Sequence, residues 1–492
     1  MTKTNTLLGV ALLACLISCK KDDTQAARMP KQFNIEDLYD TKSVYGADFN
    51  KDETKVLMNS DVTGISNAYE VNIADTVQTA LTISAKETIY SIDYLPGSDN
   101  FLYGSDQGGN ENSHIYLMDR KTKIAKDLTP WDNSTSSFGG WSQDKKSMYV
   151  QSNKRDPKFF DVWKMDTLTW TPVLFYQNDK GYTPAGISRN EQYIVLNESI
   201  TTDKNELYLY DRIAKTTKRI SNDNEAIWAV AAFERDNSAM YYCSNDGSEH
   251  SSLYKYDLAT GKSEKIYSYD NWSVVNMGLS ETGKYHTVFI DIDGSNKVLL
   301  FDHATGKEIK LPDFKNANVE SVTISDSETK LLLTVSSSTS PANLYVYDLA
   351  TKKLKQLTST LSKKVDENDL VSAQVIRFKS FDDKEIPAIY FKPLQASKDN
   401  KVPAVIWVHG GPGGQSRINY SNGIQYLVNH GYAVLAVNNR GSSGYGKTFY
   451  KLDNKDHGNG DLKDCIWGKK WLASQDYING DAIGIIGGSY GG

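Results

Sequence analysis

The sequence has 492 residues, enough for two or three domains. Its 55 Lys and Arg against 61 Asp and Glu leave a net charge of −6, which gives no electrostatic drive toward nucleic acid or an anionic membrane surface. Charged residues at 24% exclude disorder along the whole length, and aromatics at 11%, with 30 Tyr among them, suit β-structure.

Lys3 is the only charge in the first nineteen residues, and an apolar run extends from Leu7 to Ile17. The run is too short to span a bilayer but suits the core of a signal peptide. It ends in Leu16-Ile17-Ser18-Cys19, which resembles a bacterial lipobox. Residues 1–18 are therefore expected to be removed, Cys19 to carry a lipid that anchors the protein to a membrane, and residues 19–39 to form a polar tether. Lys21-Asp22-Asp23 is similar to the acidic tag of surface-exposed lipoproteins. The expected location is the outer membrane of a bacterium, facing the periplasm or the cell surface. Cys243 and Cys465 then remain, and both read as buried small residues rather than as a disulfide or metal ligands.

From about residue 40 a unit recurs in which an apolar-aromatic strand ends in a polar anchor. The anchors are Asn72, Asp119, Asp166, Asp211, Asp257, Asp302 and Asp348, at intervals of 47, 47, 45, 46, 45 and 46 residues. A second marker runs in phase, where Ser142, Ser188, Ser280 and Ser325 open polar turns ahead of further strands. Units of about this length with four short strands are propeller blades, so residues 40–362 read as a seven-bladed β-propeller with four-stranded blades. The tyrosines and anchor residues are assigned to blade packing and turn capping.

After Leu357 the repeat stops, and the charged stretch 363–369 reads as a hinge. Two strands are expected at 373–378 and 386–391. Buried strands are expected at 402–408, 433–437 and 482–486, with helices at 423–431 and 461–473 between them. The second helix has Leu462, Cys465, Ile466, Trp471 and Leu472 as its apolar positions. The alternation implies βαβ units and an α/β sheet. Gly487-Gly488-Ser489-Tyr490-Gly491 follows the last strand and fits the nucleophile elbow Gly-x-Ser-x-Gly, with Ser489 as nucleophile. His409-Gly410-Gly411-Pro412 follows an earlier strand, where glycine allows backbone N–H groups to point at a developing oxyanion. The candidate donors are the N–H of Tyr490 and that of Gly411, with Gly410 as the alternative. His409 is read as holding its loop rather than as a base. All seven histidines precede Ser489, whereas α/β-hydrolases order the triad as Ser, acid, His. The triad Asp and His are therefore expected outside this sequence. Residues 363–492 read as the N-terminal part of an α/β-hydrolase domain, in a fragment that lacks its general base.

These motifs, together with Asn438-Asn439-Arg440-Gly441-Ser442-Ser443-Gly444-Tyr445-Gly446 and Gly460-Asp461-Leu462-Lys463-Asp464, resemble the prolyl oligopeptidase family of serine peptidases. The resemblance implies cleavage of oligopeptides, with a propeller that keeps folded proteins from the site, and neither cofactor nor metal. The His-Gly-Gly-Pro loop looks like the acylaminoacyl-peptidase branch, in which backbone N–H groups form the oxyanion hole. The Glu-Glu pair by which the dipeptidyl-peptidase IV branch holds a substrate amine has no counterpart here. Asp461 and Asp464 read as helix and loop anchors. An esterase on the same scaffold, or a non-catalytic propeller binding protein, is the alternative reading.

Overall fold

The structure is a computed structural model and describes residues 27–492. The expected signal segment and lipid-bearing Cys19 lie outside the described residues. Seven four-stranded antiparallel sheets span residues 44–80, 90–127, 136–176, 183–219, 228–267, 273–309 and 318–356. Each sheet is one blade and uses only strands consecutive in sequence.

The two sequence markers explain the turns. The anchor at the end of each third strand caps the turn that follows it. Asp119, Asp257, Asp302 and Asp348 accept the N–H of Thr122, Thr260, Thr305 and Thr351 at 2.8, 2.7, 2.9 and 2.7 Å. Hydrogen bonds from these threonines hold the four carboxyls below the usual range. The marker serines close the turn between the first and second strands. Ser188 Oγ accepts from Tyr193 N at 2.8 Å, and Ser280 Oγ from Tyr285 N at 2.8 Å.

No strand is shared between the first and last blades, so side chains close the ring. Glu53 of the first blade is 8% exposed and accepts from Ser327 N at 2.7 Å, Ser327 Oγ at 2.6 Å and Lys330 Nζ at 3.2 Å. Val44 and Phe49 pack with Leu332 and Leu344 beneath it.

The second unit is a five-stranded sheet. In chain order its elements are β1 (Gln374–Lys379), β2 (Glu385–Phe391), β3 (Val402–Val408), α1 (Asn422–Asn429), β4 (Ala433–Val437), α2 (Gly460–Ala473) and β5 (Ile478–Gly487). The spatial order is β1-β2-β4-β3-β5, with β4, β3 and β5 parallel to one another and β2 antiparallel to both of its neighbours, β1 and β4. Two cores flank the sheet. Ile424 and Val428 of α1 pack against Ile389 and Val434 on one face, while Cys465 and Leu472 of α2 pack against Ile386 and Leu435 on the other. Among the described residues no helix is long and apolar enough to cross a membrane.

Three expectations are corrected. The strand expected to be buried at 482–486 is an edge strand, and Ile485 and Ile486 are 61% and 47% exposed because no described element covers that face. Helix α2 buries Cys465 and Leu472 as its apolar pattern suggests, but not Leu462 and Ile466. Asp461, Asp464, Cys465, Gly468 and Leu472 are buried, whereas Leu462 and Ile466 are 50% and 43% exposed. The expected tether is also packed in its last part. Phe33 and Leu38, the latter in a short helix Ile35–Tyr39, are buried against Val365 and Leu370, and Phe33 N donates to Asn429 Oδ1 at 2.9 Å.

The units meet on two sides. On the hinge side Gln425 of α1 is fully buried and donates to Ser338 O at 2.7 Å and Val371 O at 2.9 Å. On the other side the contacts are charged and more exposed. Lys451 is clasped by Asp203 and Glu225, and Glu249 accepts from Thr448 Oγ1 at 2.6 Å.

Candidate active site

Ser489 stands at the end of β5 with φ +56°, in the left-handed region that non-glycine residues seldom adopt. Its side chain is exposed. The elbow closes this tightly because its flanks are glycine. A Cβ on Gly487 would lie 1.9 Å from Gly491 O, and one on Gly491 would lie 2.5 Å from Val408 O at the end of β3. Larger residues would push the turn off the sheet.

The His409–Gly414 loop leaves β3 and runs beside the serine. A Cβ on Gly410 would be 3.2 Å from Ser489 Cβ and 3.1 Å from Gly488 O. Gly411 has φ +61°, and Gly414 N donates to Gly411 O at 2.9 Å, which folds the loop back on itself. Among the described residues neither the Gly411 N–H nor the Tyr490 N–H donates to a protein acceptor. Backbone N–H groups left free at such a turn and on the loop that touches it are of the kind that stabilises a tetrahedral oxyanion.

His409 lies 3.1 Å from Gly410 O through Nδ1 and 2.8 Å from Ser442 Oγ through Nε2. Ser442 in turn donates to Asn439 O at 2.6 Å. Burial pulls the His409 pKa down, and the contact with Ser442 ties the glycine loop to the 438–446 loop. Among the described residues no histidine is bonded to Ser489 Oγ.

Arg440 sets the base of the second loop. It is 6% exposed and reaches Asp464 Oδ2 through Nε at 2.9 Å, Asp464 Oδ1 through Nη2 at 2.8 Å and Asp382 Oδ1 through Nη2 at 3.0 Å. Asp464 also accepts from Arg440 N at 2.8 Å and from Ser380 Oγ at 2.6 Å. Asp461, one turn earlier on α2, accepts from the Tyr490 hydroxyl. The sequence marks both aspartates as anchors but not their partners, carries Ser442 in the 438–446 motif without showing its role, and gives no sign of Lys451. The glycines at 441, 444 and 446, all at positive φ, are the trace such a loop leaves in sequence.

A cavity of about 320 Å³ opens between the units, lined by Gly413, Ser443 and Tyr450 on one side and by Asp203, Glu249 and Asp291 on the other. Each of these carboxylates has a partner across the interface: Asn454 at 3.1 Å, Thr448 at 2.6 Å and Arg417 at 3.0 Å. A larger cavity of about 590 Å³ lies at the opposite mouth of the propeller, among the first turns of the blades, and contains none of the residues around Ser489. It is spanned by the pairs Lys145–Asp326 at 2.6 Å and Arg189–Glu281 at 3.0 Å. Among the described residues no group of three or more His, Cys, Asp or Glu is placed to hold a metal.

A seven-bladed propeller joined to an α/β-hydrolase sheet, with a strained serine at its elbow, defines a class of two-domain hydrolases. Residues 82–360 match the model of the prolyl oligopeptidase N-terminal β-propeller domain, and residues 418–492 match that of the prolyl oligopeptidase family. The chain belongs to the prolyl oligopeptidase family. It is 29% identical over 418 residues to dipeptidyl aminopeptidase BIII of Pseudoxanthomonas mexicana, covering 82% of this chain and 60% of that protein. Over 477 residues it is 24% identical to dipeptidyl peptidase family member 6 of Caenorhabditis elegans, covering 88% and 64%. Among solved structures, a puromycin-hydrolyzing peptidase of Mycobacterium tuberculosis superposes with a TM-score of 0.77 at 14% identity, over 95% of this chain and 77% of that one. The chain thus spans about 60% of the length of these curated relatives.

Proposed function

We propose that this protein is a serine peptidase that hydrolyses oligopeptides through an acyl-enzyme on Ser489. The observation that carries the reading is the strained Ser489, φ +56°, at the end of β5 and against Gly410 of the glycine loop, with the N–H groups of Tyr490 and Gly411 not engaged by a protein acceptor among the described residues. Ser489 Oγ attacks the peptide carbonyl carbon and gives its proton to a general base. The carbonyl oxygen becomes an oxyanion held by the two N–H groups, with Gly410 N–H as the alternative second donor. Collapse breaks the C–N bond, the amine leaves with the proton, and water then releases the acyl group by the same steps. Backbone donors on a His-Gly-Gly-Pro loop favour the acylaminoacyl-peptidase-like branch.

The reading requires a His and an acidic residue that residues 27–492 do not bring to Ser489. Both are proposed to come from chain outside this sequence, without which the hydroxyl is a poor nucleophile. The uncovered Ile485 and Ile486 beside the elbow and the greater length of the relatives support this. The cavity between the units, narrowed by partnered carboxylates, suits an extended peptide rather than a folded protein.

The test is turnover by the protein expressed from its complete gene. Short peptide anilides should be hydrolysed and a folded protein of similar composition should not. Turnover of 4-nitrophenyl esters with no peptide cleavage would replace the reading with an esterase. Absence of both would favour a binding protein.

The leader supports an exported lipoprotein, held at the outer membrane through Cys19 and facing the periplasm or the surface. Labelled palmitate should enter the wild-type protein and not Cys19→Ala, and equal incorporation in the two would refute the anchor.

A further inference from the structure

The last turn of the chain is held from an unexpected direction. Ser489 sits in a strained conformation, and the next residue, Tyr490, carries one of the two N–H groups assigned to the oxyanion. Its side chain reaches back to the first turn of α2, where the hydroxyl donates to Asp461 Oδ2 at 2.5 Å. The ring also rests edge-on against His457, with centroids 5.3 Å apart.

Asp461 is built to receive that hydroxyl. It is 6% exposed and has no cationic partner among the described residues, unlike Asp464 one turn later. Its Oδ1 accepts from Leu462 N at 2.8 Å at the start of a 14-residue helix, where the helix dipole favours a negative charge. Burial alone would push its carboxyl up, but the Tyr490 hydroxyl and the amides of the helix start outweigh it and hold the pKa below the usual value. An ionised carboxylate only accepts hydrogen bonds, so the hydroxyl has one way to point.

We propose that Asp461 is a positioning residue for the oxyanion hole: through the Tyr490 hydroxyl it fixes the Ser489–Tyr490 peptide, and so the aim of the Tyr490 N–H. This rests on the reading of Ser489 as nucleophile. The side chain acts as a stay on the same residue that bears the donor. Releasing it lets the Ser489–Tyr490 peptide plane rock.

The experiment compares Tyr490→Phe, Asp461→Ala, the double variant and Asp461→Asn in the protein expressed from its complete gene, with Ser489→Ala as control. The substrate is the peptide 4-nitroanilide that wild type turns over fastest. Tyr490→Phe keeps the backbone N–H and the ring and loses only the hydroxyl. It should lower kcat about tenfold with KM and Tm unchanged, less than the ~10²–10³-fold typical of deleting a donor outright. Asp461→Ala should match it, the double variant should be no slower than either single one, and Asp461→Asn, which keeps an acceptor, should recover most of the rate. Full kcat in Tyr490→Phe, or losses that multiply in the double variant, would overturn the proposal even with Ser489→Ala inactive. Turnover retained in Ser489→Ala would instead overturn the nucleophile itself.

Discussion

Replacing Ser489 with Ala is expected to lower kcat by ~10⁴-fold or more while changing KM by less than about twofold. In the proposed mechanism the oxygen removed is the one that forms the bond, so no other group on the elbow can carry the covalent step. Gly411 and Tyr490 remain, and their N–H groups can still polarise a bound carbonyl, which leaves a small residual rate above water. The substitution should not disturb the fold. The side chain is exposed, and Ala adopts φ +56° at a cost similar to that of Ser. Thermal unfolding of the variant should therefore overlay wild type. A variant that keeps a tenth of wild-type kcat would mean that a different nucleophile does the work.

Replacing Arg440 with Met should destabilise the hydrolase unit by about 3–5 kcal/mol in denaturant unfolding. Arg440 is 6% exposed and the Asp464 carboxylate it pairs with is fully buried. Two bonds to Asp464 and two to Asp382 hold the guanidinium more firmly protonated than usual, against the opposing effect of burial. Met fills the space but leaves Asp464 with only Arg440 N and Ser380 Oγ as donors, and a buried charge without its cation is the costly state. Activity should fall as well. Ser442, two residues on, is the group that holds His409 and through it the glycine loop beside Ser489. Arg440→Met with Asp464→Leu, which removes both charges, should recover a large part of the stability but not the loop geometry. A loss below about 1 kcal/mol in the single variant would show that the pair is not what holds this region.

The propeller was legible because its signal repeats. One capped turn such as Asp257–Thr260 says little, but the same anchor at near-constant intervals through seven units leaves few other folds. The elbow was legible because strand, glycines and serine are contiguous. Three features could not be read this way. Apolar residues on α2 suggest that Leu462 and Ile466 face inward, yet Asp461 and Asp464 share the buried face with Cys465 and Leu472, and their partners Tyr490 and Arg440 lie 29 and 24 residues away in sequence. The apolar run at 482–486 reads as buried on both faces, but burial depends on what packs outside it, and no local pattern carries that information. Phe33 and Leu38 sit in a polar stretch that looks like a tether, and their burial against Val365 and Leu370 is a contact across more than 300 residues.

The central claim is that Ser489 is the nucleophile of an acyl-transfer site. The most direct measurement is to react the protein expressed from its complete gene with a fluorophosphonate and to locate the modified residue by peptide mass spectrometry. The account predicts one adduct, on the peptide that contains Ser489, with loss of activity in proportion to labelling. An adduct on another serine, or none on the folded, active protein, would contradict it.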